Sequence, residues 1–112
     1  MADLYLDNDY ARRIGPVKGL ATDGVVKLYT GLSIDAFWAD AADSNTPLGS
    51  ITGTFPQLGT TGKFVVAFDY ADVNTAMTGQ ADGTTVYLVL IGTGDFRAYI
   101  AHTFHTTREL DE

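Results

Sequence analysis

The sequence predicts an all-β protein: an immunoglobulin-like β-sandwich of six to seven short strands, with one short helix near 71–78. Runs of β-branched and aromatic residues recur at intervals of roughly ten residues, as in small sandwiches. Turn sequences rich in glycine, proline and aspartate separate these runs. The clearest case is residues 84–106, TTVYLVLIGTGDFRAYIAHTFHT, where two alternating runs flank a Gly-Thr-Gly-Asp turn. A small β-barrel is the alternative architecture.

Residues 1–16 differ in pattern from the rest and are predicted to form an extended N-terminal arm. A Gly-Pro pair at 15–16 ends this segment, because proline restricts the residue before it and cannot continue a helix. Two interpretations stay open: the segment is an edge strand of the domain's own sheet, or it docks on a neighbouring subunit. In either case its apolar side chains need burial: Leu4, Tyr5, Leu6, Tyr10 and Ile14.

Residues 17–105 are predicted to form the sandwich itself, and its first half contains three candidate strands. VVKLYT, residues 25–30, is rich in β-branched residues and is followed by glycine. SIDAFWAD, residues 33–40, alternates along its length and contains Trp38, the candidate core tryptophan of the sandwich. LGSITGTF, residues 48–55, is a third strand weakened by two glycines.

The second half of the domain contains three further strands and the helix. KFVVAFD, residues 63–69, places three large apolar side chains on one face. The helix near 71–78 follows, with an aspartate available to cap it. Strands at 85–91 and 96–104 form the hairpin, and the charged residues 106–112 form a frayed tail.

Composition excludes several functional classes. The chain has 112 residues, a net charge of −7 and no cysteine, so disulfides and thiolate metal sites are impossible. The chain is acidic and its basic residues are scattered, so the sequence lacks the clustered basic residues that bind nucleic acid. Neither a signal peptide nor a membrane-spanning segment is predicted. We therefore expect either a soluble cytosolic product or a part that is delivered into an assembly without secretion.

No residue set predicts catalysis, a cofactor or a metal. His102 and His105 are three apart in a predicted strand, so they face opposite sides of the sheet and do not share a metal. None of the serines lies in a nucleophile elbow. The stretch GTTGK at 59–63 lacks the spacing of a phosphate-binding loop. The chain is predicted not to be an enzyme, and a small β-barrel enzyme built around His102 is the third-ranked hypothesis.

Two features keep a calcium-assisted carbohydrate-binding or adhesive module open as the alternative function. Exposed aromatic side chains form sugar platforms, and the candidates are Tyr87, Tyr99 and Trp38. Oxygen ligands for calcium are present in two clusters, although neither matches an EF-hand loop. Those clusters are Asp7, Asn8 and Asp9, and separately Asp40, Asp43 and Asn45. Burial of Trp38 is expected to weaken this alternative.

Three stretches of the chain resemble small virion proteins of tailed bacteriophages. They are LYLDNDYARRIGPVKGL at 4–20, GKFVVAFDYADV at 62–73 and DGTTVYLVLIGTGDFRAY at 82–99. The resemblance implies a non-enzymatic, immunoglobulin-like module that decorates the capsid or sits at the neck or tail. It also implies multiple copies, a location in the virion, and other virion proteins as partners.

The residues expected to contact those partners lie in the N-terminal segment. Apolar side chains would be buried on a neighbouring subunit, while the two arginines would pair with its carboxylates. A sheet edge near the arm would add to a neighbour's sheet through backbone hydrogen bonds. The predicted partner-binding set is Leu4, Leu6, Tyr10, Arg12, Arg13 and Ile14.

Overall fold

The structure, a computed structural model, describes residues 2–14, 18–20, 26–28, 33–56, 58, 63–92 and 97–107, with the backbone alone for 18–20 and 26–28. Strands dominate these residues, and one short α-helix and one 3₁₀ turn accompany them. The elements are β1 (Ala2–Tyr5), β2 (Tyr10–Ile14), β3 (Lys18–Leu20), β4 (Val26–Leu28), β5 (Ser33–Ala39), the 3₁₀ turn (Leu48–Ser50), β6 (Thr52–Pro56), β7 (Phe64–Phe68), α1 (Tyr70–Ala76), β8 (Thr85–Ile91) and β9 (Arg97–His105).

Two layers form a sandwich-like arrangement. The larger layer is a five-stranded sheet in the order β1-β9-β8-β5-β6, and the smaller is the antiparallel pair β2-β7. β1 runs parallel to β9, whereas the other pairings of the large sheet are antiparallel. A separate antiparallel hairpin, β3-β4, lies between β2 and β5 in the chain. The predicted all-β class is therefore confirmed, as is the single short helix.

The core lies between the two layers and follows from the alternation of each strand. β7 buries Phe64, Val66 and Phe68 while the residues between them are exposed. Trp38 on β5 is fully buried, as expected for a core tryptophan, and packs near Phe68 with ring centroids 6.0 Å apart. The two layers thus enclose one continuous apolar cluster, to which β1, β2 and α1 also contribute.

Helix α1 connects β7 to the turn before β8 and is fixed at its start by capping. The Asp69 carboxylate accepts a hydrogen bond from the backbone N–H of Asp72 at 2.9 Å, which satisfies one of the free donors of the first turn. Val73 and Ala76 face the core, so the helix covers one end of the sandwich. The predicted third strand begins later than expected, because residues 48–50 form the 3₁₀ turn that packs against α1.

The outer face of the large sheet carries a second, smaller apolar cluster. Phe37, Ala39 and Val89 are buried there, on the side opposite Trp38. The loop after β5 is held to this face by Arg97, whose guanidinium donates to the carbonyl oxygens of residues 42 and 44 and to the side chain of Asn45. The loop is therefore fixed to the sheet by hydrogen bonds from one side chain.

The N-terminal segment is part of the domain. Residues 2–5 extend the large sheet as β1, residues 10–14 pair with β7, and Leu4 and Ile14 lie in the core at 1% and 7% exposure. This corresponds to the first of the two interpretations left open by the sequence. Gly15 and Pro16, predicted to end the arm, and most of the predicted tail lie outside the described residues.

Gly49 provides a test of the contact between the 3₁₀ turn and α1. Its φ is +63°, and a Cβ there would lie 2.6 Å from the carbonyl oxygen of Thr75. We expect Gly49→Ala to lower the free energy of unfolding by about 1–3 kcal/mol, through backbone strain and this clash. Gly79→Ala is the matched control, since φ is +83° with no atom within 4 Å. Equal losses in urea unfolding would show that the contact with α1 is unimportant.

Candidate functional site

The candidate site is an open groove between β1 and β2, at the edge where the two layers of the sandwich diverge. Its volume is about 400 Å³, and every lining residue belongs to the first two strands or the turn that joins them. The lining residues are Ala2, Asp3, Leu4, Tyr5, Asn8, Asp9, Tyr10, Ala11 and Arg12. Small-molecule and peptide sites commonly occupy volumes of this order. The predicted N-terminal arm, residues 1–16, thus supplies both walls of the groove.

Hydrogen bonds to α1 fix the turn between the two strands. The Asn74 side chain bonds Asp7 twice, accepting from its N–H at 2.8 Å and donating to its carboxylate at 2.7 Å. Asp9 accepts from the backbone N–H of Tyr70, the first residue of α1, at 2.7 Å. Asp7 has a φ of +62°, a conformation that aspartate tolerates better than most residues. The turn therefore has a fixed position relative to the helix.

At the inner end of the groove, Tyr10 connects β2 to the core of the large sheet. Its hydroxyl lies 2.9 Å from Nε2 of His102, and its ring packs edge-on against Trp38 at 5.0 Å. His102 is fully buried on β9 and packs edge-on against Trp38 at 4.9 Å. Three polar aromatic side chains from β2, β5 and β9 thus meet between the layers. The Trp38 indole N–H has no hydrogen-bond partner among the described residues.

The hydrogen bonds of His102 define its tautomer. Nδ1 lies 3.0 Å from the carbonyl oxygen of Ile100, which only accepts, so Nδ1 carries the proton. In the neutral ring Nε2 then accepts a hydrogen bond from the Tyr10 hydroxyl. Burial lowers the pKa of His102 below 6.5, partly opposed by the bond to Ile100. Burial also raises the pKa of Tyr10 above 10.0, while the nearby Arg12 opposes this shift.

Arg12 and Arg13 lie on opposite faces of β2. Arg12 shares its face with Tyr10 and lines the groove, whereas Arg13 faces outward beside Val65, its partner in the β2-β7 register. Both arginines are exposed, and neither forms an ion pair with a carboxylate among the described residues. The two arginines are adjacent in sequence, but their side chains therefore lie on different surfaces of the protein.

The other predicted partner-binding residues are less accessible. Leu4 and Ile14 are buried in the domain's own core, so their side chains do not reach its surface. Leu6 and Tyr10 are half-buried and pack against the same core. A partner that binds this structure would contact the two arginines directly, and only the exposed parts of the half-buried pair.

Three of the side chains suggested as calcium ligands, Asp7, Asp9 and Asn45, form internal hydrogen bonds. Asp7 and Asp9 bond to α1, as described above. In the second cluster the Asn45 side chain accepts from the Arg97 guanidinium, so this oxygen already has a positively charged donor. Across the described residues, histidine, aspartate and glutamate side chains do not gather in a group of three able to hold a metal ion.

Of the aromatic side chains proposed as sugar platforms, two remain accessible. Tyr99 is 57% exposed and packs edge-on against the half-buried Tyr87, with ring centroids 5.7 Å apart. The two rings lie diagonally across the hairpin, because Tyr87 pairs in register with Ala101 and Tyr99 with Val89. Trp38 is fully buried and presents no surface to a ligand.

The two histidines lie on opposite faces, as their spacing predicts. His105 is on the outer face, where its Nε2 bonds the Asp3 carboxylate at 2.9 Å and its ring stacks on Tyr5 at 5.1 Å. Sequence reasoning missed the pairing of Tyr10 with His102, which lie 92 positions apart. The only available signal was a histidine on the apolar face of a strand.

Comparisons with known proteins leave the function open. No protein-family model, curated protein or solved structure matches the chain. No helix within the described ranges is long and apolar enough to cross a membrane.

The buried histidine predicts how stability depends on pH. Because the folded pKa of His102 is below the ordinary value of 6.5, the unfolded chain binds more protons between these two values. The contribution of neutral, buried His102 to the free energy of unfolding is therefore complete above pH 6.5. It is lost as the pH falls through the folded pKa. A histidine-resolved NMR titration of the wild-type protein measures this pKa. A His102 midpoint at or above 6.5 would contradict the prediction.

Removing the Tyr10 hydroxyl tests the contact between the layers. Tyr10→Phe leaves Nε2 of the buried His102 without a donor, so we expect the free energy of unfolding to fall by about 1–3 kcal/mol. Tyr70→Phe removes a hydroxyl from a side chain that is 57% exposed and serves as the matched control. The control should change stability by less than about 0.5 kcal/mol. Urea unfolding at pH 7.5 measures both, and equal changes would count against a structural role for the bond.

Proposed function

We propose that this chain is a non-enzymatic structural subunit of a tailed-phage particle. It binds neighbouring virion proteins as a capsid decoration protein or a neck accessory protein. The contact surfaces are the sheet edges formed by the N-terminal strands, together with the exposed Arg12 and Arg13. The proposal combines the sequence resemblance of residues 4–20, 62–73 and 82–99 with the arrangement of this surface.

One observation carries the proposal: two adjacent arginines are exposed and lack carboxylate partners in the described part of a chain whose net charge is −7. Arg97, by contrast, is hydrogen-bonded within the molecule, to the Asn45 side chain and to the carbonyl oxygen of Ala42. Arginine forms bidentate, geometrically specific contacts with carboxylates and is enriched at protein interfaces. A partner with acidic side chains is therefore the best match to this strand.

The topology favours an immunoglobulin-like module. The order β9-β8-β5-β6 matches the G-F-C-C′ order of variable-type immunoglobulin sheets, and β2-β7 takes the place of strands B and E. Trp38 on β5 then occupies the position of the core tryptophan on strand C. Such modules serve widely as binding domains, although the fold alone does not determine a function.

The ends of the large sheet offer further contacts. β1 and β6 are its end strands, and an end strand carries backbone groups outside the ladder that another chain can pair with. In a particle with many copies, weak individual contacts combine into stable attachment. The acidic surface keeps free subunits apart before assembly, because like net charges repel.

A carbohydrate-binding module is the second candidate, favoured by the exposed pair Tyr99 and Tyr87 on the outer face. Trp38, which was a candidate for stacking on a sugar ring, is buried and does not support this function. A glycan screen that identifies a ligand whose binding is lost in Tyr99→Ala would favour this candidate over the first.

The proposal predicts that the chain is a stoichiometric component of purified particles of the phage that encodes it. Quantitative mass spectrometry should find a fixed copy number per particle. In the double variant Arg12→Gln/Arg13→Gln we expect incorporation to fall at least tenfold, a loss of roughly 1.4 kcal/mol in binding. The reason is that the partner's carboxylates lose both guanidinium groups.

A charge-matched variant separates this contact from a general effect of charge. Ala71→Glu/Ala81→Glu also lowers the net charge by two, at exposed positions outside the N-terminal strands. This variant should be incorporated like the wild type. Absence of the chain from particles, or equal incorporation of both double variants, would overturn the proposal.

A further inference from the structure

We propose that His102 and Tyr10 form an acid-sensitive switch: protonation of His102 displaces the Tyr10 side chain and opens the inner end of the groove to the buried Trp38. The switch is a property of the domain's own conformation. It goes beyond the proposed function and does not depend on which partner the chain binds.

The three side chains form a path from the groove to the core. Tyr10 lines the groove and is half-buried, whereas His102 and Trp38 are fully buried. The Tyr10 hydroxyl lies 2.9 Å from Nε2 of His102, and its ring is 5.0 Å from that of Trp38. Tyr10 therefore separates the groove from both buried rings, and its displacement is sufficient to admit water to them.

Hydrogen bonding among these side chains depends on one acceptor. In the neutral imidazole of His102, Nδ1 donates to the carbonyl oxygen of Ile100 at 3.0 Å, and Nε2 accepts from the Tyr10 hydroxyl. The Trp38 indole can only donate, and its N–H has no partner among the described residues. A proton on Nε2 converts the acceptor into a donor. The hydroxyl proton of Tyr10 then has no acceptor in this cluster and finds one in the water of the groove.

The charges around His102 do not compensate an imidazolium ion. Asp3 on β1 already bonds His105 at 2.9 Å, and Arg12, which shares a face of β2 with Tyr10, is itself positive. The neighbouring indole on β5 and Val86, the register partner on β8, are uncharged. Burial lowers the pKa of His102, partly opposed by its backbone hydrogen bond, while Arg12 lowers it further and Asp3 raises it. A buried charge of this kind is costly, so protonation favours a conformation in which water reaches the ring.

The opening is local, because the surrounding contacts do not titrate with His102. The neighbouring core side chains include Phe64, Leu88 and Phe104, which are apolar and buried. On the outer face, His105 holds β1 through the Asp3 carboxylate, and a protonated imidazole still donates to a carboxylate. Acid therefore removes the contact of β9 with β2 and leaves its contact with β1.

The test follows tryptophan and histidine in one titration of the full chain, from pH 8 to 4.5. Trp38 is the single tryptophan of the chain, so its fluorescence reports on this site alone. We expect acrylamide quenching to rise several-fold and the emission to shift to longer wavelength, with a midpoint below pH 6.5. The midpoint should equal that of the His102 imidazole measured by NMR, while far-UV circular dichroism stays unchanged.

Two variants identify the group responsible. His102→Gln presents an amide oxygen to the Tyr10 hydroxyl and does not titrate, so Trp38 should stay shielded throughout the range. His105→Gln is the matched control, since it removes the other histidine of β9 and should retain the transition. Carboxylates are mostly ionised above about pH 4.5, so a transition that disappears only in His102→Gln belongs to the histidine.

The wild-type titration keeps the proposal falsifiable even where His102→Gln does not fold. Quenching that stays constant down to pH 4.5 would overturn it. So would a quenching midpoint that differs from the His102 midpoint, or one that coincides with loss of the circular dichroism signal, because the domain would then unfold as a whole. Loss of the transition in His105→Gln would assign it to the wrong histidine.

Discussion

The hydrogen bond between the Tyr10 hydroxyl and the His102 imidazole connects the two layers of the sandwich at the N-terminal strands. It joins β2, in the small sheet, to β9, in the large one, in contact with the buried indole of Trp38. A buried imidazole without a partner is costly, so the position of β2 and the neutral state of His102 support each other. The position of Tyr10, which lines the groove, therefore depends on this contact.

The aspartates near the N-terminus stabilise the fold through hydrogen bonds that cannot be recognised from the sequence. Asp7 and Asp9 connect the β1-β2 turn to α1, and Asp69 caps the start of the same helix. A carboxylate at the start of a helix also interacts favourably with the helix dipole. In the described part of the chain, acidic residues thus fix the turn that lies between the two walls of the groove.

Much of the fold could be predicted from local sequence, because alternation depends on neighbours only two positions apart. The strands at 33–39, 64–68 and 85–91 follow directly from their patterns, and so does the helix after Asp69. The 3₁₀ turn at 48–50 was predicted as strand, since the contact with α1 that favours it is not visible locally. The site was less predictable. Its walls lie in the segment singled out from the sequence, but the contact of Tyr10 with His102 spans 92 positions.

By itself the sequence determined the all-β class, the face that each strand buries, the opposite orientation of the two histidines and the lack of cysteine chemistry. These follow from composition and from the two-residue period of a strand. Only the tertiary structure decided that residues 2–14 belong to the domain's own sheets and that Arg12 and Arg13 face different environments. β1 pairs with β9, and β2 pairs with β7, although the paired segments are far apart in sequence. Whether such pairs form depends on the entropy cost of closing the chain between them and on the core that they build together. Local sequence patterns carry no information about either.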